Sequence, residues 1–439
     1  MRNRLSVAIL AVAISSGLGL GAAWGQAPQP KKAPEWKDRA EYDLEQSAEK
    51  EQDSKKKLDL LNQWKKDYPN TEQKMLRLEQ YLATYRALQD GVKTLETAQE
   101  MLREDPKYIN ALYWTCLLVV SSRDASPARL DMGEKAASTM VSSLDEFFAP
   151  EKKPAAATDA AWKQARTDLA ALANRTLGWV NVQRKNWPEA EKYVIEDLKL
   201  NPNDAEASYW LGTAIRQKPE RTSEALFQFA RAAAYDGPGA MDAKTRQTVL
   251  DYVTKTYANY HGQDAEGLKQ LLAMAKSQAF PPAGFKILTE DEVKEQALQQ
   301  KGKDNPSLPF WIKAIKEPLT AADGAQTFES NVKNAIIPPA DQPPLQGAVI
   351  SCEPAKAPKT VIVGIENPAV AEVKLVFETP LARPAEPGTI IKFRGVATAF
   401  TKAPFMLTFE VDKKDLTGWP APPPPVKKAP VHKATTKKK

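Results

Sequence analysis

Two Leu-Gly pairs, 34 positions apart, restrict the fold of this chain more than any other sequence feature. Leu177-Gly178 and Leu211-Gly212 each lie in a stretch with apolar residues at helical spacing. Ala190 follows the first glycine after twelve residues, and Pro202 comes twelve residues later. Glycine and alanine let two helices approach closely, and a proline ends one helix before the next begins. The pattern predicts helical hairpins stacked one upon another.

Further copies of the pattern occur on both sides of the first. After the second pair, small and aromatic residues recur with a shift of one position, as an insertion at Pro219 would produce: Ala225, Phe229 and Ala232. Earlier in the chain, Pro106 precedes Tyr113-Trp114 at the spacing that separates Pro202 from Tyr209-Trp210, with Cys116 in place of the glycine. Such self-similarity at a fixed period is typical of repeat proteins.

These residues resemble the tetratricopeptide repeat, which has Leu-Gly in its first helix, small residues in its second helix and a proline before the next repeat. The resemblance is clearest over residues 171–236, extends to 75–123 and is faint over 36–70 and 241–282. Asn181 and Thr94 depart from the tyrosine and alanine usual in the family. The resemblance implies an α-solenoid over residues 36–282.

In the family, helix A of each hairpin lines an inner groove that binds ligands. Matched position by position, the resemblance implies that the following residues face this groove: Arg175, Trp179, Gln183, Tyr209, Thr213 and Arg216. Arginine and large aromatic residues are typical anchors of protein interfaces. The alternative for Trp179 and Tyr209 is that they pack between repeats.

The composition changes after residue 282. Residues 283–344 are expected to form a helical transition, with a capping box from Thr289 to Glu292, and then a proline-rich linker. Residues 345–419 contain five β-branched or aromatic segments that are too closely spaced for crossover helices: 349–351, 360–365, 373–377, 390–397 and 405–411. They predict a small antiparallel β-domain, either a barrel, in some respects similar to an oligonucleotide- or oligosaccharide-binding fold, or a sandwich.

The two ends of the chain indicate export and a basic tail. Residues 1–25 combine Arg2 and Arg4 with an apolar run and small residues before Gln26, the pattern of a cleaved signal peptide, and residues 26–35 follow as a linker. Residues 420–439 are expected to be disordered and carry six lysines: Lys427, Lys428, Lys433, Lys437, Lys438 and Lys439. The formal net charge is +6. The two arginines of residues 1–25 and the six lysines of residues 420–439 contribute +8, so the rest of the chain has a net charge of −2.

Signatures of catalysis are missing from the sequence. It has no Gly-rich phosphate loop, no paired-histidine zinc helix and no Cys-x-x-Cys, so we expect neither an enzyme nor a bound metal or cofactor. His261 lies near a predicted helix end and is interpreted as a structural residue. Cys116 and Cys352 are interpreted as free thiols, with a disulfide as the alternative.

Together these observations predict an exported, periplasmic or secreted, non-catalytic scaffold that binds a peptide or protein segment in the solenoid groove. An alternative remains open: a protein that binds polysaccharide or nucleic acid in the cell envelope through the β-domain and the lysine tail.

Overall fold

The computed structural model describes residues 36–421 of the chain. The described residues divide into two compact units, the first ending at Leu288 and the second beginning at Thr289, which are described separately below. The predicted signal peptide, the linker 26–35 and the six tail lysines lie outside the described residues. Within residues 36–421, no helix combines the length and the apolar character needed to cross a bilayer.

The regular secondary structure in the described part of the first unit is all helical. Its helices, in chain order, are α1 (Arg39–Lys50), α2 (Ser54–Asp67), α3 (Lys74–Ala87), α4 (Gly91–Glu104), α5 (Ile109–Ser122), α6 (Pro127–Phe147), α7 (Asp159–Gln183), α8 (Trp187–Leu200), α9 (Ala205–Ile215), α10 (Thr222–Ala234), α11 (Ala243–His261) and α12 (Ala265–Ser277).

Local sequence fixes many of these helix ends. Side-chain oxygens of Asp or Thr accept a hydrogen bond from a backbone N–H in the first turn at the following N-caps: Asp38, Asp53, Asp90, Thr158, Asp204, Asp242 and Asp264. Each such cap contributes about 1 kcal/mol. Pro106 and Pro202, the prolines of the repeat pattern, both lie between helices. The prediction that prolines separate successive helices is confirmed.

Successive helices from α1 to α11 pack against one another along the chain, α7 also contacts α5 and α9, and α12 packs against α10. The repeat glycines lie where neighbouring helices approach closely. A Cβ atom on Gly178 would lie 2.6 Å from Val194 Cγ2 on α8, and one on Gly212 would lie 3.0 Å from the Phe229 ring on α10. The small residues of the repeat therefore set the helix spacing, as predicted, in a solenoid-like array.

The second unit begins with helices that share a core with its strands. These are α13 (Glu290–Gly302), α14 (Leu308–Phe310), α15 (Glu317–Thr320) and α16 (Gly324–Thr327); a π-helical segment, Trp311–Lys316, joins α14 to α15, and another, Phe328–Val332, follows α16. The capping box of Thr289 and Glu292 is present. Trp311 and Leu319 are fully buried in the same cluster as Phe393 and Phe409.

Residues 283–344 contain the predicted helices, but from Thr289 on they belong to the same compact unit as the strands rather than to a separate transition and linker. The boundary lies between Leu288 and Thr289, because the apolar stripe of the following helices is buried against the sheet. The proline-rich stretch contains the first strand, Ile336–Ile337, which pairs with Val396 and Gly395.

The strands of the described residues form one sheet of eight. They are β1 (Ile336–Ile337), β2 (Leu345–Glu353), β3 (Thr360–Gly364), β4 (Val373–Val376), β5 (Ile390–Phe393), β6 (Gly395–Thr401), β7 (Met406–Glu410) and β8 (Leu416–Thr417). Their order is β1-β6-β7-β4-β3-β2-β5-β8. All neighbours are antiparallel except β4 and β7, which are parallel. The helical-then-β architecture is confirmed, and each of the five predicted strand segments overlaps a strand.

One predicted strand, 390–397, divides at Arg394. Its first half, β5, pairs with β2, whereas its second half, β6, pairs with β7 several strands away in the sheet. A single residue separates the two halves, so the sheet must curl until its distant strands meet. Gly395 lies at this bend, where a Cβ atom would come within 2.6 Å of Glu410 O. The result is a curled half-barrel rather than two stacked sheets.

Candidate functional site

The residues predicted to line the groove lie on neighbouring helices. Arg175, Trp179 and Gln183 are on α7, Tyr209 and Thr213 are on α9, and Arg216 directly follows α9. Helices α7 and α9 contact each other, so the structure brings the two sets together. Gln183, Tyr209 and Arg216 are exposed, Thr213 is half-buried, and the other two residues differ from the expectation.

Trp179 does not face a groove. It is 1 % exposed and belongs to the main core of the helical unit, with Val180, Val194 and Leu198. The alternative, packing between hairpins, is therefore the correct one for Trp179. An indole ring has a large apolar area, and it makes more contacts in the core than it would make at the surface.

Arg175 is engaged within the protein. Its guanidinium donates from Nε to Asp204 and from Nη2 to Glu206 at 2.7 Å, and it stacks over the Trp210 ring at 4.8 Å. Burial opposes its positive charge, but the carboxylates of Asp204 and Glu206 raise its pKa. Arg123 forms a second ion pair with Glu206. Arg175 therefore ties α7 to the start of α9, and its role as a ligand anchor is not supported.

A buried carboxyl group lies beside this ion pair. Asp197 on α8 is fully buried, and neither of its side-chain oxygens has a hydrogen-bond partner among the described residues. Burial raises the pKa of Asp197 to about 8; the charge of Asp204 adds to the shift and that of Arg175 opposes it. Burial therefore favours the protonated form of the Asp197 side chain.

The exposed residues of α9 adjoin an aromatic row. The Tyr209 ring contacts Phe229 edge to face at 5.5 Å between centroids, and Phe229 contacts Tyr252 of α11 at 5.1 Å. Tyr209 and Tyr252 are each 39 % exposed, whereas Phe229 is 2 % exposed. We call Tyr209, Thr213, Arg216 and Tyr252 the Tyr209 surface. Because Gly212 has no side chain, there is room for the Phe229 ring, which supports the Tyr209 surface.

A second concave feature was not predicted from the sequence. A groove of about 640 Å³ is lined by side chains of α2, α3, α4 and the start of α6. We call it the basic groove; its charged and aromatic lining residues are Lys65, Arg77, Tyr81, Tyr85, Lys93, Glu96, Glu100, Arg103 and Arg129. None of the six predicted site residues lines it. In sequence, its lysines and arginines look like ordinary solvated helix faces, and only tertiary packing brings them together.

The described residues offer little for covalent or metal chemistry. Residues 36–421 contain no group of three or more His, Cys, Asp and Glu side chains placed to hold a metal ion. Cys116 is buried and free, and Cys352 is free and half-buried, so the alternative of a disulfide is wrong. His261 ends α11, where Nδ1 lies 2.8 Å from Leu288 O and Nε2 lies 3.3 Å from Asp264. This agrees with the structural role predicted for it.

Comparison with known proteins gives no family assignment. No protein-family model matches this chain, and no curated protein matches it. The resemblance to the tetratricopeptide repeat stays a prediction from the residues, and so does contact of the tail lysines with polyanions.

Proposed function

We propose that this protein is a non-catalytic scaffold of tetratricopeptide-like hairpins, and that its helical unit binds a peptide or protein segment at the Tyr209 surface. The observation that carries the proposal is the aromatic row, in which two half-exposed tyrosines from different hairpins rest on one buried phenylalanine. Tyrosines held in this way offer a large contact area and lose little conformational entropy on binding.

The polar members of the surface supply directional contacts. Arg216 is exposed and forms no ion pair with a described residue, and the Thr213 hydroxyl donates to Tyr209 O at 2.9 Å, which leaves its lone pairs as acceptors. Gln183 is exposed at the end of α7, on the adjacent hairpin. Donors, acceptors and aromatic rings on a rigid helical surface suit a protein segment better than a small metabolite.

A displayed library of random short peptides, selected on the full chain, tests this proposal. The critical variant is Tyr209→Ala/Tyr252→Ala, and the matched control is Met274→Ala, which removes another surface side chain of similar exposure, 37 %, from α12. We expect peptides selected on the wild type to bind the control unchanged and the tyrosine variant at least about thirtyfold more weakly. Equal binding to all three proteins would contradict the Tyr209 surface.

We further propose that the chain is exported. This rests on the basic start, the apolar run and the small residues before Gln26. Expression in a bacterial host with a periplasm, followed by N-terminal sequencing of the product, is expected to give a chain that starts at Gln26. Recovery of the uncleaved chain from the cytoplasm would refute export.

A further inference from the structure

The basic groove carries an excess of positive charge. Five of its lining side chains are basic and two are acidic. Part of this charge is compensated locally, since Lys93 Nζ donates to Glu96 at 2.7 Å and Arg129 pairs with Asp124 at 3.3 Å. Glu100 lies 3.7 Å from Lys74.

Three of the cationic groups have no carboxylate partner within residues 36–421. Lys65 and Arg103 form no ion pair with any described residue. Arg77 is 3 % exposed, and its Nη1 donates to the backbone oxygens of Tyr68 at 2.8 Å and Trp64 at 3.3 Å rather than to a carboxylate. Burial lowers the pKa of Arg77. A buried cation of this kind is costly, and an anionic group bound nearby lowers that cost.

Two stacked tyrosines make part of the groove wall rigid. The rings of Tyr81 and Tyr85 lie 5.8 Å apart between centroids at an interplanar angle of 15°. Tyr81 Oη donates to Asn62 Oδ1 at 2.9 Å, and burial raises the pKa of Tyr81 to about 12, so the hydroxyl stays neutral. The groove therefore pairs fixed aromatic surface with unneutralised positive charge.

We propose that the basic groove binds an acidic peptide segment of a partner protein. Its volume of about 640 Å³ lies within the range of ligand sites and admits only a few residues in contact with the walls. Lys65 and Arg103 supply exposed positive charge, Arg77 supplies buried positive charge, and the tyrosine pair contacts apolar atoms of the segment. This second site does not depend on the Tyr209 surface.

The acidic side chains of the groove favour a peptide over a nucleic acid. Glu96 is exposed and Glu100 is half-buried along the same helix, α4, as Lys93 and Arg103. They repel an uninterrupted row of phosphates, whereas they can accept hydrogen bonds from the backbone N–H groups of a peptide. A segment that alternates backbone donors with acidic side chains matches this mixed lining.

The same displayed peptide library tests the inference, with oligothymidylate as a second probe. The critical variant of the full chain is Lys65→Glu/Arg103→Glu. Its control is Lys66→Glu/Lys135→Glu, which changes the net charge equally at exposed residues outside the groove. Circular dichroism must show both variants folded; Lys65→Gln/Arg103→Gln replaces the critical variant if it does not.

We expect wild type and control to enrich peptides rich in Asp and Glu, and the groove variant to bind those peptides at least about tenfold more weakly, with all binding reduced by added salt. No enrichment of acidic peptides, or enrichment that the groove variant retains, would overturn the inference. So would oligothymidylate binding that depends on the groove in the absence of acidic enrichment. Peptides sensitive only to Tyr209→Ala/Tyr252→Ala would leave the proposed function standing while this inference fails.

Discussion

Replacement of Asp197 by asparagine should stabilise the protein at neutral pH, against the usual effect of a core substitution. Asp197 is fully buried, without a hydrogen-bond partner among the described residues, and its pKa rises from 3.8 to about 8. In the unfolded chain the group ionises near its ordinary pKa. Between these two values the folded state binds one more proton than the unfolded state.

The sign and size of the effect follow from that proton. An acid whose pKa is raised on folding contributes its full stability below about pH 4 and loses it as the pH rises toward 8, at about 1.4 kcal/mol per pH unit. At pH 7 the loss reaches roughly 4 kcal/mol, as an upper limit. Asparagine has nearly the shape of the protonated acid and does not ionise. Asp197→Asn should therefore match wild type near pH 4 and exceed its stability increasingly up to pH 8.

Urea unfolding of the full chain, followed by helical circular dichroism across this pH range, measures the difference. Asp59→Asn is the control, because Asp59 is exposed on α2 and forms no ion pair with a described residue. It should show no pH-dependent difference from wild type. If Asp197→Asn is less stable than wild type at pH 7 by an amount independent of pH, Asp197 is ionised in the folded protein and the reasoning is wrong.

Three further substitutions test the packing. Arg175→Ala removes the cationic partner of buried Asp204, while Glu206 keeps its ion pair with Arg123, and should cost about 2 kcal/mol. Exposed Arg216→Ala should change stability by less than about 0.5 kcal/mol, and equal melting temperatures for the two variants would contradict the ion pair between Arg175 and Asp204. Gly178→Ala should lower the melting temperature, since overpacking costs about 1–3 kcal/mol against a gain of about 1 kcal/mol in helix propensity, and a rise would refute the close approach. Glu372→Gln should destabilise the second unit by about 3 kcal/mol, because the Glu372 carboxylate accepts hydrogen bonds from two backbone N–H groups and from Lys316 at 2.6 Å. Tryptophan fluorescence during unfolding measures the change. No difference from wild type would show that this network is dispensable.

Much of the helical unit could be predicted because its signals are local. Helix caps, prolines and apolar residues at helical spacing act within one or two turns, so the sequence displays them directly. The Leu-Gly pairs gave information on tertiary packing as well, since a glycine at a fixed place in each hairpin indicates which helices must pack closely. Gly178 and Gly212 do lie against Val194 and Phe229.

The residues of the candidate site were predicted less well, because a position in a repeat does not specify which groups a side chain contacts. Arg175 and Trp179 hold the positions that face ligands in the resembling family, yet one is paired with Asp204 and the other is buried. Tyr209, three residues before Gly212, is exposed as expected. Its partner Tyr252 carried no repeat signature and was missed.

The boundary of the second unit was misjudged for a related reason. Prolines at 338, 339, 343 and 344 resemble a linker, but strand β1 lies directly before them and pairs with β6, about sixty positions later. The parallel pairing of β4 with β7 is equally nonlocal. Short apolar segments identify strands, whereas strand order depends on how the sheet curls.

By itself the sequence determined which segments are helical, where most helices end, and that small residues hold neighbouring hairpins together. Each of these properties depends on residues within about one hairpin. Tertiary structure alone decided that Arg175 is an internal ion-pair partner, that Asp197 is buried without a hydrogen-bond partner in the described part of the chain, and that basic residues from four helices form one groove. Those outcomes depend on contacts between residues that are distant in the chain. The free energy of a carboxylate or a guanidinium depends on the charges and the burial that such neighbours provide, rather than on its position in the sequence.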